Sequence, residues 1–272
     1  MAVASNCRMR LYEFGDISGG YLEDLPLSIR AMKPKLLRLT CICKTADAIA
    51  FTEISAPTNP LAASTAVAIE TISGQAGDNQ AVGGHVQSMN TIGINTTDEI
   101  LNRTELMHAT DGTTFLLGTQ TYKELFHMSS NAHGTGDMDA AGQIDIRKID
   151  DTVLVSIAAA SNESNGSRWK VPDGCVAMLY GGHLNRIISV ATDEGVRIRI
   201  VHIDAVDGET GMAAADRRNN FSEYIVSAYQ PSVEIPKGKM YTSGAWISLE
   251  HSSMVDAGED YFLEVEFLIW KK

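Results

Sequence analysis

The sequence predicts a mainly β protein, an antiparallel β-sandwich of jelly-roll-like character with long loops and one or two short helices. Three observations lead there. Short apolar segments of strand length recur along all 272 residues, and several alternate apolar with polar. The 23 glycines and seven prolines fall mostly between those segments, where turns are needed. Helical patterns are few and brief.

The elements follow in order. LLRLTCIC (36–43) and AIAFTEI (48–54) are apolar runs parted by a polar break. AVAIETIS (66–73) follows a loop around Pro57 and Pro60. Thr96 and Glu99 have capping-box spacing ahead of ILNRTELMHA, and Thr121 and Glu124 repeat it in TYKELFHM, so a short helix is expected at each. TFLLGT (114–119) adds a strand. IDIRKI (144–149) and TVLVSIAA (152–159) flank Asp150-Asp151 as a hairpin. CVAMLYGG (175–182) and RIISVAT (186–192) should be separate strands, with Gly181-Gly182-His183 as the turn between them. VRIRIVHI (196–203) alternates, and Asp193-Glu194-Gly195 would join it to 186–192. EYIVSAY (223–229), MYTSGAWISLE (240–250) and YFLEVEFLIW (261–270) complete the series. In the last, Leu263, Val265, Phe267 and Ile269 face away from Glu264 and Glu266.

Two organisations fit. One is a single continuous sandwich with insertions. The other divides the chain into a β-rich region 1–165, with inserted loops and short helices, and a sandwich region 166–272. The second region has strand candidates every ~8–12 residues, the spacing of a sandwich.

Composition excludes several classes. Hydrophobic residues make up 44% and charged residues 21%, so the chain can build a core and is not a disordered one. No apolar run approaches the ~20 residues that span a bilayer as a helix. The start, MAVASNCRMRLYEF, has no signal-peptide pattern. A formal charge of −12 argues against direct nucleic-acid binding. The charge is uneven: residues 1–50 carry seven cations against five acids, +2 net, which leaves −14 for the rest. Arg8, Arg10, Arg30, Lys33 and Lys35 are therefore the candidate contacts of an N-terminal arm with an acidic partner surface. Cys7, Cys41, Cys43 and Cys175 read as buried free thiols, formed in a reducing compartment.

Chemistry-bearing motifs are sparse. His127 and His133 lie near Asp137 and Asp139, and Asp137-x-Asp139-x-x-Gly142 partly matches a calcium loop. Lys148 stands where that loop needs its bidentate glutamate, so no metal and no cofactor is expected. The acidic loop Asp204–Glu209 has the same ambiguity. Ser167-Arg168-Trp169-Lys170 has Ser-x-x-Lys spacing without its companion elements. Trp246 and Trp270 sit in strand patterns and read as core. Trp169 sits in a polar stretch and is the aromatic expected to bind a partner.

The small-residue loops, Val171-Pro172-Asp173-Gly174-Cys175, Ile235-Pro236-Lys237-Gly238 and the terminal YFLEVEFLIW give residues 171–272 a texture that resembles bacteriophage virion structural proteins. The likeness is to β-sandwich cement (decoration) proteins and jelly-roll coat proteins. The resemblance implies a non-enzymatic protein that binds a capsid or other assembly protein through loops and an N-terminal arm. It implies a homo-oligomer, with a trimer favoured, located in the virion and made in the host cytoplasm. The long spine helix of shell-forming coat proteins is not in the sequence, so the capsid surface is the expected place. The alternative is a carbohydrate-binding or carbohydrate-active β-sandwich using Trp169, Tyr180 and Asp207.

Overall fold

The computed structural model describes residues 6–17, 23, 25–45, 51–54, 67–81, 84–136, 138–187, 195–203, 221–227, 229–254 and 260–272. The fold is mainly β and antiparallel, as the alternation predicts. Two compact units emerge: 1–56 with 167–272, and 57–166.

The first unit is a two-sheet sandwich. Its larger sheet runs β1 (Asn6–Tyr12), β2 (Lys35–Lys44), β17 (Asp260–Lys271), β11 (Cys175–Arg186) and β14 (Ser232–Ile235), with β15 (Met240–Tyr241) also on β11. Its smaller sheet runs β10 (Arg168–Lys170), β16 (Trp246–Ser253), β12 (Val196–Ile203) and β13 (Phe221–Val226), with β3 (Thr52–Glu53) on β16. Register decides which residues share a face. Leu37 pairs with Phe267, Leu39 with Val265 and Cys41 with Leu263, and all six side chains turn inward. From the smaller sheet Trp169, Ile247, Leu249, Ile198 and Ile200 meet them. The Trp169 ring stands edge-on to Phe267 at 5.1 Å, which ties the sheets together. One polar bridge crosses the same interior: His251 Nδ1 lies 2.8 Å from the Tyr261 hydroxyl. Burial lowers the His251 pKa to about 4, so its ring is neutral at pH 7.

The second unit is one antiparallel sheet. Its order is β6 (Ile100–Leu106), β5 (Val86–Asn95), β7 (Leu116–His133), β4 (Val67–Ser73), β8 (Ile144–Lys148) and β9 (Val153–Ile157). β7 and β9 approach each other although two strands lie between them, so the sheet curls. It closes on a core that includes Ile69, Met89, Leu125, Met128, Ile146 and Val155. Asp78 is fully buried and gathers the loops at one end. It accepts hydrogen bonds from the Ser73 hydroxyl and from the backbone amides of Val86, Ala141 and Gly142. Four donors on one carboxylate offset its desolvation.

Several expectations need correction. Residues 96–106 form no helix: Asn95 Oδ1 accepts from the Thr97 and Glu99 amides, making a hairpin turn between β5 and β6. TYKELFHM lies within the 18-residue β7. Among the described residues a short α-helix, α1, spans Leu27–Ala31, and a 3-10 turn spans Phe14–Asp16. Gly181-Gly182 is no turn either. β11 runs straight through it with a bulge between Leu179 and Gly181. A Cβ on Gly182 would overlap the Glu264 carbonyl of β17, so only glycine fits. Cys7 and Cys41 face each other across β1 and β2 and form a disulfide, while Cys43 and Cys175 are buried and outside any disulfide, as expected.

The contacts also divide the chain differently from 1–165 and 166–272. β1 and β2 pair with each other and then with β17, so 1–56 joins the C-terminal half. For the same reason the N-terminal segment is not a detached arm. β1 is a sheet strand, and Ile17 and Leu25 pack with Leu36, Val176, Tyr180, Leu268 and Trp270 on the outer face of the larger sheet. Residues 188–194, Asp137, Asp204–Glu209 and the loop around Pro57 and Pro60 lie outside the described residues.

Candidate functional site

The six residues expected to contact a partner do not form one site. Arg8 and Arg10 alternate with the buried Met9 and so stand on the outer face of the larger sheet. Arg30 lies in α1 and donates from Nε to the Leu25 carbonyl at 3.0 Å. Lys33 follows that helix, exposed, at φ 49°. Lys35 pairs with Glu13 at 2.8 Å. Trp169 has no exposed surface and belongs to the sandwich interior, a correction to its expected role. Its strand, β10, also carries Arg168, which makes a two-pronged ion pair with Glu53 of β3. The Ser-x-x-Lys spacing at 167–170 is therefore part of a strand, not the start of a nucleophile helix. Trp246 and Trp270 are buried as expected.

Around Arg8 and Arg10 the outer face of the larger sheet is charged in rows. Arg10 pairs in register with Arg38, and Arg38 with Glu266. The next row runs Arg8, Thr40, Glu264, His183 and Glu234 across β1, β2, β17, β11 and β14. Arg38 grips Glu266 at 2.6 Å and lies over the Tyr12 ring at 5.6 Å. Cations thus occupy β1 and β2, and carboxylates occupy β17 and β14.

A second polar group occupies a position where the sandwich should be apolar. Ser222 and Tyr224 pair with the inward-facing Ile200 and Ile198, so both point between the sheets. His202 pairs with inward-facing Ile247, and its ring meets Tyr241 at 5.3 Å. β13 approaches β11 and β14 at this edge, where the two sheets come together. Lys239 donates from Nζ to Ser222 Oγ at 3.2 Å and sits 5.7 Å from the centre of the Tyr241 ring. Burial holds the Lys239 pKa below the usual lysine range. Burial raises the Tyr224 pKa, and the Ser222 hydroxyl opposes that shift. The Tyr241 hydroxyl is buried without a hydrogen-bond partner, and burial together with nearby Tyr224 raises its pKa. No sequence signal marks this group, because its members come from 202, 222–224 and 239–241 and converge only through strand pairing.

In the second unit a buried trio joins β7 to the segment after β9. Ser164 Oγ accepts from the Met128 amide at 2.9 Å and lies 3.1 Å from His127 Nδ1, while His127 Nε2 is 4.0 Å from Glu163 Oε2. Ser164 is 2% exposed, so the trio fastens chain segments rather than meeting a substrate. Among the described residues, no three His, Cys, Asp or Glu side chains come together as a metal site.

Tyr180, one of the residues weighed for sugar stacking, is buried in the outer-face cluster under Ile17 and Leu25, with Lys237 Nζ 4.5 Å from its ring centre. No protein-family model matches the chain, and no curated protein sequence does. Two solved structures align with it. One is PNGase F, a glycosylasparaginase from Flavobacterium meningosepticum, at 11% identity and a TM-score of 0.14. The other is a recombinant N-glycanase F, at 10% identity and the same TM-score. Each alignment covers 87% of this chain and 96% of the other. Similarity at that TM-score carries no argument about fold or activity.

Proposed function

We propose that this is a structural interaction protein that docks on the surface of another assembly protein. In its most specific form it is a capsid cement protein of a virion that also associates with itself as a trimer. The observation that supports this reading is the charged outer face of the larger sheet. Rows of cations on β1–β2 beside carboxylates on β17 and β14 span five strands of one face. A surface of mixed sign on a rigid sheet sets register and partner choice more than raw affinity. The larger sheet also supplies rigidity, since its inner face is core.

The test is mass in solution by light scattering after size exclusion, for wild type and for Arg8→Glu/Arg10→Glu. A closed oligomer that dissociates in the double variant, with β content unchanged, supports the reading. A monomer at every concentration and salt, together with no binding to any shell protein, overturns it.

A further inference from the structure

We infer that Ser222 and Lys239 form a nucleophile–base dyad for acyl transfer at the β13–β15 edge of the sandwich. The inference goes beyond the docking role and does not depend on it. A serine hydroxyl becomes a nucleophile when a base within hydrogen-bond reach can take its proton. Lys239 Nζ lies 3.2 Å from Ser222 Oγ, inside that reach. Among the described residues no carboxylate pairs with Lys239; the acid nearest in sequence to Ser222, Glu223, faces the other way and binds Arg199 at 2.8 Å. A lysine with a carboxylate partner is held charged, whereas one half-buried against aromatic rings is more readily neutral, the form a base requires. Serine–lysine pairs are a recognised variant of the serine–histidine arrangement.

The Tyr241 ring is buried, with its centre 5.7 Å from the Lys239 amine. Ser222, Tyr224, His202 and Lys239 are half-buried rather than sealed, which leaves an approach from solvent.

The substrate class is a carboxylic ester. Ser222 Oγ attacks the ester carbon as its proton passes to the neutral Lys239 amine. The attack gives a tetrahedral oxyanion. The C–O bond to the alcohol breaks, and the Lys239 ammonium returns the proton to that alkoxide. Water then attacks the acyl-serine with Lys239 again as base, releasing the carboxylic acid and restoring Ser222.

The test is covalent labelling of the full chain by a fluorophosphonate, read by intact mass and peptide mapping, alongside release of nitrophenol from p-nitrophenyl acetate. Labelling at Ser222 is expected in wild type and absent in Ser222→Ala. Lys239→Arg keeps the stem and the charge but cannot act as base, so it should slow labelling by about 100-fold or more. Circular dichroism confirms that each variant is folded. Failure of folded wild type to label at Ser222 overturns the inference, and so does equal labelling of wild type and Lys239→Arg.

Discussion

Replacing Trp169 separates its two readings, core and contact surface. The indole has no exposed surface, and its edge-to-face partner Phe267 lies 5.1 Å away in the opposite sheet. Trp169→Ala removes the largest fully buried side chain and opens a cavity between the sheets. Truncations of this kind cost ~3–5 kcal/mol, a large share of a typical domain's 5–15 kcal/mol. Trp169→Phe behaves differently. It keeps a ring against Phe267, a contact worth ~0.5–1.5 kcal/mol beyond area. It also deletes Nε1–H, which is buried without a hydrogen-bond partner. Relief of that unsatisfied donor returns ~1–3 kcal/mol against the lost area, so the phenylalanine variant should lie within ~2 kcal/mol of wild type. Urea unfolding followed by far-ultraviolet circular dichroism measures both without relying on the tryptophan being changed. Equal urea midpoints for wild type and Trp169→Ala would refute the core reading, above all if self-association were lost at the same time.

Three further outcomes are expected. His251 is neutral in both states above pH 6.5. As pH falls, the unfolded chain takes up a proton that the folded chain refuses until about pH 4. Stability therefore declines between pH 6.5 and 4 by up to ~3 kcal/mol, and urea midpoints for wild type and His251→Leu should converge across that window. Reduction of the Cys7–Cys41 disulfide, or Cys41→Ser, reopens a loop of 34 residues in the unfolded chain. The chain-entropy account puts the loss at roughly 4 kcal/mol, read as a lower melting temperature with reductant. Asp78→Ala leaves the Ser73 hydroxyl and three backbone amides without their acceptor. It should cost more than ~3 kcal/mol and speed hydrogen exchange at Val86, Ala141 and Gly142, whereas Asp145→Ala on the same unit should leave those amides protected.

Strand content was legible where alternation was undisturbed. VRIRIVHI and YFLEVEFLIW carry their faces in their spelling, and Asp150-Asp151 carries its turn. The misreadings share a cause. β5 and β7 shift register between Ile92 and Gly93 and again between Ile94 and Asn95. Each bulge breaks the two-residue period, and on β7 every residue from Glu124 to Ser130 is buried. A run without alternation looks helical. Thr96 and Glu99 misled for a related reason, since the residues that cap helices also build the Asn95 turn. The charged rows were visible only as unassigned cations, because Arg10 reaches its row through Arg38, and Arg38 reaches Glu266 from 228 residues away in sequence.

The sequence alone determined the class of the fold, since apolar spacing and turn chemistry are local properties of the chain. It also determined that Trp246 and Trp270 would be buried. Tertiary structure alone decided which strands pair, and through pairing everything with chemistry in it. It joined residues 1–56 to the C-terminal half, set Cys7 opposite Cys41, put Trp169 in the core and brought Lys239 to Ser222. Register between distant strands depends on the summed burial of whole faces, which no short segment encodes by itself.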